Sequence, residues 1–254
     1  MEEMQMENTQ AESTKIEGRN AVLEAFRSGK TIDKLFVLDG CKDGPIQTIL
    51  REAKKHDTLV QFVAKERLEQ LSETKKHQGV IAMAAAFSYA TVEDILENAR
   101  KKNEAPFVIL LDNIEDPHNL GAIIRTAEAC GAHGIIIPKR RNVGLNYIVS
   151  KTSCGALEYM PVARVTNLAS TIDELKKKNI WVYAADMDGQ RWDKTDFSGG
   201  VALVVGSEGN GVGRLIKEKC DVTVSLPMLG KVNSLNASVA AGIIMYEIAR
   251  QRLG

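Results

Sequence analysis

A surplus of charge is the first thing this sequence lacks. Its 254 residues carry 33 Lys plus Arg against 33 Asp plus Glu. No global field announces a polyanionic partner, and any nucleic-acid binding has to rest on local basic patches. An apolar leader is missing as well: Met1-Glu-Glu-Met-Gln-Met has no h-region, and no run reaches the roughly 20 apolar residues of a membrane span. Cysteine is sparse. Cys41, Cys130, Cys154 and Cys220 stand apart, without CxxC spacing or clustered histidines, which argues against a structural zinc and for a reducing interior. No metal is expected, and the expected location is cytoplasmic. Internal repeats and low-complexity segments are absent too. A chain of this length holds one large domain or two small ones.

Periodicity divides what is there. Residues 1 to about 15 are polar and aperiodic and read as a disordered tail. From Ile16 the pattern is regular: helix Asn20–Phe26, strand Lys34–Leu38, helix Pro45–Lys55, strand Leu59–Val63, helix Lys65–Leu71 and strand Gly79–Met83. That predicts a small αβαβαβ domain over residues 16–88. Residues 89–106 read as a linker, with a helical connector at Thr91–Lys102 and a break at Asn103-Glu-Ala-Pro106. The second domain, 107–254, opens on Phe107-Val-Ile-Leu-Leu111, a continuous apolar run suited to a buried parallel strand. Helix Leu120–Cys130, strand Gly134–Ile137, helix Asn146–Ala156, strand Met160–Val165 and helix Leu168–Lys178 follow. Strands Trp181–Ala185 and Val201–Val205, helix Val212–Lys219, strand Val222–Leu226 and a C-terminal helix complete the chain. This alternation predicts an α/β fold with a parallel, helix-covered sheet.

Three strand-to-helix switches in the second domain carry polar groups. The first is Leu111-Asp-Asn-Ile-Glu-Asp-Pro-His-Asn-Leu-Gly-Ala-Ile-Ile-Arg-Thr-Ala127, with Asn119 and, six positions on, Arg125. The second is the Gly-rich turn Gly206-Ser-Glu-Gly-Asn-Gly211, bearing Glu208. The third runs from Ser225-Leu-Pro-Met228 through Asn233-Ser-Leu-Asn-Ala-Ser-Val-Ala-Ala-Gly242. Pro227 ends a strand, Ser234 and Asn236 offer oxygens where a helix must begin, and small residues on its first turns leave room for a close neighbour. Taken singly, each is also plain turn or capping chemistry. Together they point to one site at the carboxyl ends of a parallel sheet. Gly209-Asn-Gly211 opens like the dinucleotide fingerprint, but Arg214 breaks it, and no Gly-Lys-Ser/Thr follows to make a P-loop.

Asn119 with Arg125, then Gly-Ser-Glu-Gly-Asn-Gly, then Ser-Leu-Pro with Asn-Ser-Leu-Asn-Ala-Ser-Val-Ala, resemble the three signature motifs of the SpoU/TrmH family, the SPOUT-class RNA 2′-O-ribose methyltransferases. Gly18-Arg-Asn20 and His77-Gln-Gly79 are similar to the substrate-binding domain of the RlmB-type branch, which methylates guanosine of 23S rRNA. The resemblance implies S-adenosylmethionine as cofactor, held by Gly206, Leu226, Met228 and Leu235, and a trefoil knot around residues 225–236. It implies a homodimer, and Arg125, Asn119, Glu208, Ser234 and Asn236 as the catalytic set. Arg19 and the basic cluster Lys139-Arg-Arg141 are the expected RNA contacts. Two function classes stay open on the residues: an RNA 2′-O-methyltransferase, acting on rRNA or tRNA, and a non-catalytic RNA-binding protein that keeps the fold.

Overall fold

The first strand forms where the polar tail was expected to end. Lys15–Glu17 (β1) is followed by Arg19–Arg27 (α1), Ile32–Leu38 (β2), Gly44–Lys55 (α2), Leu59–Val63 (β3), Lys65–Leu71 (α3) and Val80–Ala84 (β4). This computed structural model describes residues 15–85, 87–209 and 211–253, so residues 1–14 of the expected tail lie outside the described residues. Two units divide the chain, residues 1–88 and 89–254.

In the first unit the sheet order is β1-β4-β2-β3, with β2 and β3 parallel and the other pairs antiparallel. Apolar spacing decides what its helices bury: Val22 and Phe26 of α1, with Ile46 and Ile49 of α2, close over Leu35, Val37, Val80 and Ala82. Asp43 starts α2 by accepting from the Ile46 amide at 3.2 Å, and Pro45 occupies the first turn, where its missing N–H costs nothing. Glu17 ties β1 to the turn before β4. Its carboxylate accepts from Ser72 Oγ at 2.6 Å, Thr74 Oγ1 at 2.5 Å and the Glu73 amide at 2.6 Å. Burial alone would raise its pKa, but these donors outweigh that and lower it from 4.5 to about 2.

The second unit begins with a helix read from sequence as a connector, Val92–Lys102 (α4). A capping box between Thr91 and Asp94 starts it, and Asn103 ends it in the left-handed region at φ 56°. Ile95 and Leu96 of this helix belong to the core of the unit, beside Val108, Leu110 and Ile136. Then come Phe107–Leu111 (β5), Pro117–Ala129 (α5), Gly134–Pro138 (β6), Tyr147–Thr152 (α6), Val162–Val165 (β7), Leu168–Lys177 (α7), Ile180–Arg191 (β8), Gly200–Val205 (β9), Arg214–Lys219 (α8), Val222–Ser225 (β10) and Ala237–Leu253 (α9). The six strands lie in the order β10-β8-β9-β5-β6-β7, and all pair in parallel. The architecture is therefore α/β, a small N-terminal αβ unit followed by an all-parallel sheet. All five residues of β5 are buried, as a strand with neighbours on both edges and helices on both faces requires.

Two expected elements differ. The helix expected over 146–156 stops at Thr152, because Cys154 and Gly155 take positive φ (51° and 88°) before a short 3-10 turn at Ala156–Glu158. The strand expected over 181–185 runs on to Arg191, with a register shift against β10 between Thr223 and Val224. Gly189 allows it, since a Cβ there would lie 2.5 Å from the Thr223 carbonyl. Close approach also explains Gly121 on α5, where a Cβ would meet Thr152 Cβ at 2.6 Å. Among the described residues no helix is long and apolar enough to cross a membrane.

Candidate active site

The chain runs outward from β5 through β6 to β7, then returns to the other side of β5 for β8 and β9. A parallel sheet opens a crevice at the carboxyl ends of its strands where the direction reverses. Three loops end there, after β5, β9 and β10, and each delivers one side chain to a common cluster. Asn119 Nδ2 donates to Glu208 Oε1 at 3.0 Å, Asn236 Nδ2 donates to Asn119 Oδ1 at 2.9 Å, and Asn236 Nδ2 also donates to Glu208 Oε1. Asn236 caps α9 at the same time: its Oδ1 accepts from the Ser238 amide at 2.9 Å, Ser238 Oγ at 2.6 Å and the Val239 amide at 3.3 Å. Capping and site duties, inseparable by sequence, fall to the two ends of one amide.

Glycine and one buried acid hold the middle loop. Ser207 and Gly211 exchange main-chain hydrogen bonds of 3.1 and 2.9 Å, and a Cβ on Gly206 would sit 2.0 Å from the Gly211 carbonyl carbon. No other residue lets this loop close. Asp112, at the end of β5 and 8 % exposed, accepts from the Gly213 amide at 2.8 Å and from Asn113 Nδ2 at 3.0 Å. It ties the first loop to the second.

Beside the cluster lies a cavity of about 450 Å³, within the range of about 300–1,000 Å³ typical of small-molecule sites. Gly206, Leu226, Met228 and Leu235, expected to hold the cofactor, all line it, as do Ser234 and Glu208. Val205, Val224 and Ile244 add apolar wall, and Asp186 and Asn233 add polar groups. Among the described lining residues none is Lys or Arg. The donor set suits a cation with an aromatic base and hydroxyl groups, and it would repel a pyrophosphate. S-adenosylmethionine fits this wall: the irregular chain from 226 to 236 offers main-chain amides and carbonyls, and Glu208 has only neutral amides as hydrogen-bond partners. Among the described residues no group of three or more His, Cys, Asp or Glu could hold a metal.

Arg125 stands apart from the cluster. It is exposed on α5, and its Nη1 donates to Cys154 Sγ at 3.3 Å. Glu208 has Asn119 and Asn236 as its hydrogen-bond partners. The basic run divides. Arg141, at φ 56°, lines a second cavity of about 480 Å³ with Asn113, Asn119, Ser207 and Glu208. Arg140 is exposed, and Lys139 is fixed through its main chain to Val165 at 2.8 Å. The loop that carries them is held to the first motif, where the Ile114 amide donates to Asn142 Oδ1 at 2.8 Å.

In the first unit the two turns singled out by sequence meet. Arg19 N donates to Gln78 Oε1 at 3.1 Å and Arg19 Nε to Gln78 O at 3.0 Å, while Nη2 pairs with Asp43 at 2.6 Å. Arg19 and Gln78 line a pocket with Asn20, Cys41 and Gly79. The amide at the start of α2, then Cys41 and Arg19, hold the Asp43 carboxyl below its usual range.

Sequence reading passed over Asp112 and Asp186. Asp112 stood inside the first motif with no role, and Asp186 closes the run Trp181–Ala185 as an ordinary end-of-strand acid. Position at a strand's carboxyl end was the available signal for both.

Known proteins match along most of the chain. The SpoU rRNA Methylase family matches residues 106–246, and the domain described as RNA 2′-O ribose methyltransferase substrate binding matches residues 15–90. The Bacillus subtilis protein YacO, named for the TrmH family of tRNA/rRNA methyltransferases, is 52% identical over 237 residues, 92% of this chain and 94% of its own. Among solved structures, the SpoU methyltransferase AviRb of Streptomyces viridochromogenes in complex with AdoMet is 26% identical with a TM-score of 0.59, covering 94% of this chain and 90% of that one. An AdoMet-bound rRNA methyltransferase of Sinorhizobium meliloti is 25% identical with a TM-score of 0.60, covering 94% and 88%.

Proposed function

Because the chain belongs to the SpoU/TrmH family of S-adenosylmethionine-dependent RNA methyltransferases, we propose that its acceptor is a ribose 2′-hydroxyl and its target a guanosine of 23S rRNA. One juxtaposition supports this most: the Asn119–Glu208–Asn236 cluster stands between two cavities, with Glu208 lining both. One is lined for a cationic cofactor, and the other reaches Arg141. The substrate-binding match over residues 15–90 supports the ribose hydroxyl as acceptor.

When bound, S-adenosylmethionine would supply an electrophilic methyl group for in-line displacement by a ribose hydroxyl, with the neutral thioether as leaving group and the hydroxyl proton released to water. Gly206, Leu226, Met228 and Leu235 hold the cofactor, largely through main chain. Val205, Leu226 and Ile244 keep water from the wall. The uncharged amides of Asn119 and Asn236 fix the orientation of the Glu208 carboxylate beside the cavity. Ser234 borders the same space. The Arg125 guanidinium holds the phosphate beside the acceptor ribose and stabilises the alkoxide as it forms. Arg19, Lys139, Arg140 and Arg141 contact the RNA backbone.

The functional unit is a homodimer. A groove between α5 and α9, lined by Ala122, Thr126, Val239, Gly242, Ile243 and Tyr246, supports it, with Val239 50% and Tyr246 56% exposed. An isologous contact along it sets Arg125 of one protomer near the cavity of its partner. The proposal includes a trefoil knot around residues 225–236, supported by their irregular, glycine-bearing course between β10 and α9. The enzyme works in the cytoplasm, where RNA, cofactor and four free thiols coexist.

Mapping ribose methylation in RNA from cells with and without the gene tests the target. Loss of one 2′-O-methylguanosine in 23S rRNA upholds the proposal. The name of the Bacillus relative covers tRNA too, and loss confined to tRNA moves the target there. Unchanged methylation in both overturns the acceptor.

A further inference from the structure

Two carboxylates line the cavity, and they are dressed differently. Glu208 is held by the neutral amides of Asn119 and Asn236. Asp186, on β8 beside the loop after β9, is only 15% exposed and pairs with Lys217 Nζ at 3.0 Å through Oδ2. Its Oδ1 accepts from the Met187 amide at 2.6 Å. Two anchors fix its rotamer, and it lines the cavity together with Gly211.

We infer that Asp186 is a cofactor-binding residue that accepts hydrogen bonds from the ribose hydroxyls of the adenosyl group. The inference rests on the cavity between β8, β9 and α9 being the cofactor site. The charge of Asp186 is already offset by Lys217, so its pull on a distant cation is small. Each carboxylate oxygen still has a free lone-pair direction after its one partner, and a fixed acceptor rewards a hydroxyl donor. Placement agrees: Asp186 follows Ala185, the last residue of β8 paired to β9, and lines the cavity beside the Gly-rich loop. Glu208, dressed in neutral amides, is the carboxylate that senses the sulfonium charge. One acid thus reads the sugar and the other the charge.

Calorimetric binding of S-adenosylmethionine, of S-adenosylhomocysteine (uncharged at sulfur) and of the 2′,3′-dideoxy analogue of the latter separates these roles. Asp186→Ala is expected to weaken the first two equally, by about tenfold, the scale of a lost hydrogen bond to a charged group. Removing the diol is expected to cost the wild type a similar factor and the variant nothing further. Glu208→Gln is expected to weaken the methionine form more than the homocysteine form. Asp186→Asn, which keeps one acceptor oxygen and the shape, repeats the test if the alanine variant does not fold. Wild-type affinity for S-adenosylhomocysteine in both variants, or an undiminished cost of diol removal, overturns the assignment. Ala240→Trp fills the cavity and tests its premise. If that variant still binds S-adenosylmethionine, the cavity is not the cofactor site and the assignment falls with it. If it loses binding while the Asp186 variants do not, the assignment alone falls.

Discussion

Asn236 donates to Asn119 at 2.9 Å across 117 residues of chain, and the other end of the same amide caps the C-terminal helix. One side chain therefore reports on both helix and site. Asn236→Ala should cost about 1 kcal/mol of stability, the usual worth of an N-cap, and most of the activity. Asn236→Ser restores the cap without the reach to Asn119 and Glu208. Its melting temperature should return close to wild type while methyl transfer stays low. Full recovery of both would show that the cluster has no part in turnover.

Arg125 tests the electrostatic role. Arg125→Ala should lower methyl transfer by roughly 10²–10³-fold, the scale of a lost oxyanion donor, with cofactor affinity and melting temperature almost unchanged. Arg125→Lys should lose most activity too, because an ammonium cannot replace a bidentate fork on phosphate. A lysine variant at full rate would reject the fork.

Removing residues 1–88 separates cofactor from substrate. The remaining chain keeps its own core around Val108, Leu110 and Ile136 and the whole cavity, so calorimetry should find S-adenosylmethionine bound as tightly as by the full chain. Methylation of ribosomal RNA should fall steeply. Equal activity would mean that the first unit does not read the substrate.

Acid should loosen the first unit through Glu17. Its folded pKa, about 2, lies below the ordinary 4.5, so its stabilisation is complete above pH 4.5 and is lost as pH falls toward 2. Urea melts of wild type and Glu17→Gln should differ at pH 7 and converge between pH 4.5 and 2. A difference that holds steady down to pH 2 would place its origin elsewhere than in the charge.

Mixed dimers test whether Arg125 serves its own cavity or the partner's. One parent is Arg125→Ala and the other Ala240→Trp, preferred to any change at Gly206 because a Cβ there collides with the Gly211 main chain. In a trans dimer both lesions fall on one site and the other is intact, so co-refolded parents regain activity. In a cis dimer every site keeps a lesion and the mixture stays inactive, once exchange is verified by mass.

Much of the second unit was legible because burial on both faces leaves a plain record. Phe107–Leu111 carries no polar residue, and its strand is where the apolar run lies. Strand order left no such record, since parallel pairing imposes the same apolar demand on every interior strand. The far half of β8 was hidden for the opposite reason. Asp186 to Arg191 holds few apolar residues, and its pairing to β10 depends on Gly189 and on Ser225 Oγ donating to the Gly189 carbonyl at 2.8 Å. Asn119, Glu208 and Asn236 could be named from motif spacing, but not their mutual bonds. The fold joins Glu208 to two amides and gives Arg125 the thiol of Cys154, pairings that motif spacing does not record.

Gly121 gives the arginine's helix an unusual kind of fixity. With Thr152 so close that a single methyl would collide, α5 has little room to roll about its axis against α6, and Arg125 reaches Cys154 just past the end of that helix. The reach of the guanidinium is thus gauged by an absent atom one helical turn away. In a reaction where a 1 Å misplacement costs on the order of 10²-fold, that gap acts like a machined spacer, setting tolerance for a tool it never touches.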